Sequence, residues 1–245
     1  MRNKLWMVIL VLALSLAACS QGSNQSSDSN STSKKGNNKV KYHRIVSLMP
    51  SNTEILYRLG LGNNIVGVST VDDYPKDVKK GKKQFDAMNL NKEKLLKAKP
   101  DLILAHESQK SSSGKVLNSL KKDGVKVVYV KDAQSINETY DTFKTIGKIT
   151  GREHQAQDLV DETKKNVDKV VNSVPKHHKK QSIFMEVSSK PDIYTAGKGT
   201  FFDDMLNQLD AKNSFSDING WKSVSKESII KHNPCLLYTS PSPRD

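Results

Sequence analysis

The sequence predicts an α/β protein built from two lobes, with one long helix joining them. From Lys41 onward, short apolar runs alternate with helical patterns, which is typical of parallel strands connected by crossover helices. Residues 153–174 carry the periodicity of a single long helix, and a stretch of the first half recurs 134 positions later in the second half. Together these observations indicate two related halves held apart by a rigid segment.

The first lobe is predicted over residues 41–151. Its first strand, at 44–48, is followed by Pro50 and by a capping box at 51–54 that opens a helix. The later elements alternate in the same way. Strands are predicted at 65–68, 101–105 and 125–130, and helices at 91–99, 115–123 and 136–147.

A linking helix is predicted over residues 152–176. Apolar side chains recur at helical spacing, and neither Gly nor Pro interrupts the segment before Pro175. These apolar positions are Leu159, Val160, Val167, Val170, Val171 and Val174. A helix of about 20 residues is about 30 Å long, so it can bridge two bodies, and without Pro or Gly it resists bending. Strand and helix signals resume at 183–187 and 201–209, in a second lobe predicted at 177–234.

The internal repeat matches residues 93–100 with residues 227–234. Both copies begin with a glutamate, Glu93 or Glu227, and end with proline. A polar capping residue stands two positions before each glutamate. An aromatic residue, Phe85 or Trp221, lies further upstream in the sequence. Two lobes that each present an aromatic side chain and a carboxylate are expected to face each other across a cleft.

The first nineteen residues have the layout of a secretion signal. Arg2 and Lys4 precede an apolar run from Leu5 to Leu14, which is too short to span a bilayer comfortably, and small residues precede Cys19. The pattern is similar to a bacterial lipobox, in which the signal peptide at 1–18 is removed and Cys19 carries lipid. Residues 19–40 are rich in Ser and Asn and predict a flexible tether. The protein is therefore expected on the extracytoplasmic face of the cell membrane, attached by a lipid anchor.

Composition excludes several classes of function. The net charge of +13 would suit a nucleic-acid-binding protein, but an exported protein does not meet nucleic acid routinely, and the lysines are scattered along the chain. With Cys19 lipidated, Cys235 has no partner for a disulfide framework. The chain has no G-x-S-x-G elbow, phosphate loop or H-E-x-x-H helix, so no enzyme is predicted. An adhesin would not need paired lobes, and no direct metal site is expected.

The chain resembles the substrate-binding proteins of ABC importers for cobalamin and iron complexes, most closely the vitamin B12-binding group. The matching stretches, in order, are residues 44–56, 66–75, 88–90, 93–103, 194–198 and 221–227. The resemblance implies two Rossmann-like lobes on one helical backbone, of the helical-backbone metal receptor type. It also implies a monomer that holds ligand between the lobes and docks on an ABC permease with two transmembrane subunits. By position, Glu93 and Glu227 are the docking carboxylates.

The same resemblance implies where ligand binds. The matching cleft positions are Pro50, Phe85 and Trp221, with Met49, Asp86, Tyr74, His106 and Lys198 near them. Aromatic walls suit a large ring ligand, so cobalamin or a related corrinoid is the expected ligand, with no intrinsic cofactor. A ferric siderophore remains an alternative, although arginines that would hold an anionic catecholate are few. Haem is a further alternative if His106 or Tyr74 supplies an axial ligand.

The end of the chain departs from the repeat. Pro100 is followed by Asp101 and an apolar strand, whereas Pro234 is followed by residues 235–245, which contain two further prolines. The second lobe is therefore expected to be truncated, with residues 235–245 as an anomalous tail from a truncated reading frame. Resequencing the locus tests this hypothesis.

Overall fold

The computed structural model describes residues 39–175 and 179–239. The predicted signal peptide at 1–18, Cys19 and most of the tether at 19–40 lie outside these residues. Among the described residues, no helix is both long enough and apolar enough to cross a membrane.

Five parallel strands form the first sheet, in the order β3, β2, β1, β4, β5. They are β1 (Ile45–Ser47), β2 (Ile65–Ser69), β3 (Lys83–Phe85), β4 (Leu102–His106) and β5 (Lys126–Val130). The helices of this lobe are α1 (Pro50–Arg58), α2 (Lys92–Leu96), α3 (Gln109–Lys122) and α4 (Ile136–Thr150). This architecture confirms the predicted α/β class. Strand β3 was not predicted, because two of its three residues are polar and exposed.

Helices cover both faces of this sheet, as its apolar strands require. Strand β4 shows the arrangement: Leu102 and Leu104 pack into one hydrophobic cluster, and Ile103 and Ala105 pack into the other. Because successive side chains point to opposite faces, an unbroken apolar run can fill two cores at once. The continuous apolar run in the sequence therefore indicates a strand that is buried on both faces.

The long helix α5 (Glu153–Ser173) is continuous over 21 residues, as the periodicity predicts. It begins directly after Gly151, whose φ of 76° ends α4 in a left-handed cap. A side chain at Gly151 would place its Cβ 2.4 Å from the Lys39 carbonyl oxygen, so glycine is needed there on two counts. The apolar stripe is buried only in the first half, around Ala156 and Val160, whereas Val170 is 58% exposed.

A second sheet has the order β10, β6, β7, β9, with a short β8 also paired to β6. These strands are β6 (Ser182–Ser188), β7 (Ile193–Ala196), β8 (Lys212–Asn213), β9 (Trp221–Val224) and β10 (Leu236–Thr239), and its helices are α6 (Phe201–Gln208) and α7 (Lys226–His232). The expectation of parallel strands throughout is wrong here, because β7 is antiparallel to both β6 and β9. The short connection at 189–192 has no room for a crossover helix, so it produces an antiparallel pair.

The repeat is visible in the folded chain. Asn91 accepts a hydrogen bond from the Lys94 amide (2.9 Å) at the start of α2, and Ser225 accepts one from the Ser228 amide (3.1 Å) at the start of α7. After α2 the chain enters β4, parallel to β1; after α7 it enters β10, parallel to β6. The expectation that the repeat stops at Pro234 is therefore wrong, because the second copy continues into one further strand, β10.

Candidate functional site

Three of the predicted site residues lie where strands of the first sheet end. Pro50 is the first residue of α1 and follows β1, Tyr74 lies in the connection after β2, and His106 is the last residue of β4. Because all five strands are parallel, their carboxyl ends share one edge of the sheet, which is where open α/β folds bind ligands. Tyr74 is 62% exposed and available for contact.

His106 is held in place by its neighbours. Its backbone amide donates to the Gln109 side chain (2.9 Å), and Nδ1 lies 2.8 Å from the Ser108 hydroxyl. Its Nε2 atom lies 3.5 Å from an Asp132 carboxylate oxygen. The residue is only 8% exposed. Both ring nitrogens of this largely buried side chain therefore face polar partners.

His106 also borders a cavity of about 330 Å³ between α1, α4 and α5. The lining is apolar on one side, where Ile55, Phe143 and Leu159 meet, and polar near His106. The remaining lining residues are Ser51, Asn52, Glu54, Arg58, Val130, Lys131, Thr139, Thr142 and Thr163. The cavity therefore opens beside the carboxyl edge, without contact from Pro50 or Tyr74.

The prediction that Phe85 forms a wall of the cleft is wrong. Phe85 is 4% exposed and belongs to a hydrophobic core cluster. Its ring lies over Gly67 of the neighbouring strand, where an added Cβ would come within 2.4 Å of the ring edge. Glycine at this position lets the ring fold back onto the sheet and removes it from the surface. The adjacent Asp86 is exposed and accepts a hydrogen bond from the Met88 amide (3.0 Å).

Trp221 is placed on the surface of the second lobe. It opens β9, pairs with Ala196 of β7, and remains 45% exposed. Its indole meets the ring of Phe202 edge to face, with the ring centroids 5.9 Å apart. This contact fixes the orientation of the indole, and the exposed part of the ring is open to a ligand.

The predicted residue Lys198 lies beside Trp221. Its amide donates to the Ile218 carbonyl (2.7 Å), and its carbonyl accepts from the Gly220 amide (3.0 Å). Gly197 makes this pairing possible, since an added Cβ would lie 2.4 Å from the Ile218 carbonyl oxygen. Backbone pairing thus brings the exposed Lys198 and Trp221 to one rim.

Glu93 and Glu227 occupy the same position in their helices. Each is the second residue of its helix, α2 or α7, and each is exposed. Hydrogen bonds from its own backbone amide and from the Ser225 hydroxyl hold the pKa of Glu227 below its ordinary value. The site thus presents Glu227 as a carboxylate at neutral pH.

Three polar side chains that organise the surroundings of the site escaped the sequence analysis. The side chain of Gln109 links two strand ends, because it donates to the Leu48 carbonyl (2.7 Å) and accepts from the His106 amide. Asp72 is buried after β2 and accepts from the Ser69 amide (2.9 Å). Asp204 of α6 accepts from the Ile136 amide at the start of α4 (2.9 Å), which ties the second lobe to the first. The polar pattern around each residue is that of an ordinary loop or helix, so the sequence alone offers no signal for them.

The described residues contain no group of three or more His, Cys, Asp or Glu side chains placed to hold a metal ion.

Comparisons with known proteins agree with this architecture. A family model described as "Periplasmic binding protein" matches residues 45–244. YvrC of Bacillus subtilis (strain 168), an ABC transporter substrate-binding lipoprotein, is 43% identical over 98% of this chain and 81% of its own length. The vitamin B12-binding protein of Salmonella choleraesuis (strain SC-B67) is 29% identical over 78% of this chain and 70% of its own length. A crystal structure of a possible iron-binding (periplasmic solute-binding) protein from Staphylococcus epidermidis ATCC 12228 is 81% identical, with a TM-score of 0.77, and covers 81% of this chain and 77% of that one. The chain belongs to the periplasmic binding protein family.

Proposed function

We propose that this protein is the extracytoplasmic substrate-binding lipoprotein of an ABC importer, which captures cobalamin or a related corrinoid and delivers it to the permease. The observation that carries the proposal is the pair of equivalent helices, α2 and α7, each capped by a polar side chain and each presenting a glutamate in its first turn. A repeated carboxylate on two lobes suits a partner with two equivalent subunits.

The exposed aromatic side chains support a large, flat ligand. Tyr74 on the first lobe and Trp221 on the second offer ring faces, and stacking on such faces adds attraction beyond the area buried. The backbone of the exposed Lys198 pairs with that of Asn219, two residues before Trp221. Tyr74 and Trp221, together with Pro50, are the contacts that we propose, and His106 is assigned to the polar lining behind them.

An iron complex is the second candidate ligand. It is favoured by the relative from Staphylococcus epidermidis, whose description is that of a possible iron-binding protein. The arginines of the first lobe argue against an anionic catecholate: Arg44 is bonded to backbone carbonyls, and Arg58 is paired with Glu162 at 2.6 Å. An uncharged ferric hydroxamate needs no guanidinium groups, so it is the form of iron complex that fits best.

Calorimetric titration distinguishes these ligands. Cyanocobalamin, cobinamide, haem, a ferric catecholate and a ferric hydroxamate are each added to the full chain. We expect saturable binding of the corrinoids, and a loss of affinity of about fivefold or more in the Trp221→Ala variant, because a stacked aromatic ring contributes about 1 kcal/mol or more. Binding of the hydroxamate alone would show that the ligand is an iron complex and not a corrinoid. No binding across the panel would refute both candidates.

Docking is tested separately from ligand binding. Glu93→Gln and Glu227→Gln keep the helices intact while removing the proposed charges, and Asp141→Asn on the exposed face of α4 is the matched control. In cells that carry the permease, we expect uptake to fall about tenfold or more in each Glu variant. Ligand affinity and the control should be unchanged. Uptake at the normal rate in both Glu variants would contradict the docking role.

Lipid attachment is a further part of the proposal. Metabolic labelling with a radioactive fatty acid should mark the protein, and Cys19→Ser should remove the label and release the protein from the membrane fraction. A labelled Cys19→Ser variant would overturn the assignment of the anchor.

A further inference from the structure

The amino-terminal edge of the first sheet is strongly basic. All five strands are parallel, so the residues that precede or open each strand meet at this edge. Eight exposed cationic side chains gather there, and we call this set the basic edge: Lys39, Lys41, Arg44, Lys83, Lys97, Lys99, Lys126 and Lys148. These cationic residues are scattered along the sequence, and the fold brings them to one edge of the sheet.

Contacts on the β3 side show that the basic edge is continuous. The Lys83 ammonium donates to the Lys97 carbonyl (2.8 Å) at the end of α2. Two residues later, the Lys99 carbonyl accepts from Arg44 Nε (2.9 Å). The Lys126 amide reaches the Asp101 carbonyl (3.3 Å), next to Arg44. These bonds join the starts of four strands into one surface.

The other side of the basic edge lies where the described chain begins. The Lys41 amide donates to the Thr150 carbonyl (3.1 Å), and its ammonium donates to the Lys148 carbonyl (3.0 Å). The Lys39 carbonyl packs against Gly151. The first described residue, Lys39, therefore lies at the basic edge itself.

Little negative charge compensates this surface. Most of the bonds above go to carbonyl oxygens, which orient a cation without neutralising it. Asp101 directs its two oxygens to the amides of His43 (2.7 Å) and Arg44 (3.0 Å). Within residues 39–175 and 179–239, Lys41 is the only member with a carboxylate within 4.0 Å, that of Glu153 at 3.9 Å. The basic edge thus keeps a net positive charge of several units.

At the opposite edge of the same sheet, the four residues that follow each strand carry more acids than cations. The acids there are Asp72, Asp73, Asp86, Glu107 and Asp132, against Lys110 and Lys131, and Lys110 is paired with Glu107 at 2.7 Å. Further cations, Lys76, Lys79, Lys80 and Lys82, follow in the rest of the connection from β2 to β3. The strand ends therefore differ in charge, with cations where the strands begin and acids where they end.

We propose that the basic edge binds the surface of an anionic phospholipid bilayer and holds the lobe with its candidate site away from the lipid. Lysines near an anionic membrane each contribute to binding over a distance of about one Debye length, and flexible ammonium groups suit a plane of headgroups. The inference takes the lipid anchor from the proposed function as its setting, because the anchor would bring this edge to the membrane. The affinity of the basic edge for an anionic bilayer requires neither the lipid anchor nor a bound ligand.

Vesicle sedimentation tests the surface directly. The full chain is mixed with vesicles of equal parts phosphatidylglycerol and phosphatidylcholine, and with vesicles of phosphatidylcholine alone to subtract any contribution from the apolar leader. The test variant is Lys83→Gln/Lys97→Gln/Lys126→Gln. The matched control removes the same charge elsewhere, on α3 and α5, with Lys115→Gln/Lys165→Gln/Lys169→Gln. Thermal unfolding followed by circular dichroism confirms that both variants are folded.

We expect the basic-edge variant to bind the anionic vesicles about a hundredfold more weakly than the unchanged chain. The control should lose less than about threefold, and binding of the unchanged chain should fall steeply with salt. Equal losses in both variants would show that net charge alone acts, and this would overturn the proposal. Soluble polyphosphate that competes at equal phosphate concentration would assign the surface to a polymer instead of a bilayer. Corrinoid binding is measured on the same samples, so failure here is separable from failure of the proposed function.

Discussion

Replacing Phe85 by alanine separates a core role from a ligand-binding role. The ring is 4% exposed and fills the space above Gly67. Its removal therefore leaves a cavity in the hydrophobic cluster that also contains Ile103 and Ala105. Phe→Ala substitutions at buried sites cost about 3–5 kcal/mol. Because β3 is an edge strand of the sheet, we expect about 3 kcal/mol, which lowers the melting temperature by about 6–12 °C in a chain of this size.

Urea unfolding followed by circular dichroism measures this cost, and two further variants make it interpretable. Phe85→Leu keeps most of the apolar volume and should cost about 1 kcal/mol. Trp221→Ala removes a ring that is 45% exposed and should cost no more than about 1–2 kcal/mol. If Phe85→Ala is as stable as the unchanged chain while Trp221→Ala unfolds readily, the assignment of the two aromatic residues is reversed and the reasoning fails.

Three further substitutions test other parts of the structure. Gly197→Ala forces a Cβ against the Ile218 carbonyl, so we expect a loss of about 1–3 kcal/mol in urea unfolding and weaker ligand binding; an unchanged affinity would argue against a site at this rim. Asp204→Ala removes the acceptor for the α4 amide and should cost about 1 kcal/mol, whereas a neutral result would mean that this tie between the lobes is not used. The hydrogen bond from His232 lowers the pKa of Asp217, so its contribution is present above the ordinary carboxyl pKa and disappears as the pH falls through the lowered value. Asp217→Asn should therefore lower the urea midpoint at about pH 5, and the difference from the unchanged chain should shrink as the pH falls; a difference that stays constant with pH would contradict this linkage.

Local patterns in the sequence predict the elements that depend on local physics. The apolar runs locate four strands of the first sheet, and the uninterrupted periodicity locates α5. The two copies of the repeat identify α2 and α7 together with their caps, because a capping side chain acts on an amide three residues away. These predictions needed no knowledge of which elements pack together.

The features that were missed depend on contacts between distant segments. Phe85 is buried because Gly67, on a neighbouring strand, leaves space for its ring. Strand β7 is antiparallel because its connection to β6 is short, and this is visible only once both strands are assigned. The basic edge exists because five parallel strands bring their first residues together. Apolar periodicity carries no information about any of these pairings.

Fluorescence of Trp221 tests the account most directly. It is one of two tryptophans in the chain, and the other, Trp6, lies in the predicted leader. Titration with cobinamide should quench the emission to a saturating level, and the saturable part should be absent from Trp221→Phe, which serves to correct for absorption by the corrinoid. Emission that responds identically in the two proteins, for every corrinoid and iron complex tested, would contradict a ligand site at this rim of the second lobe.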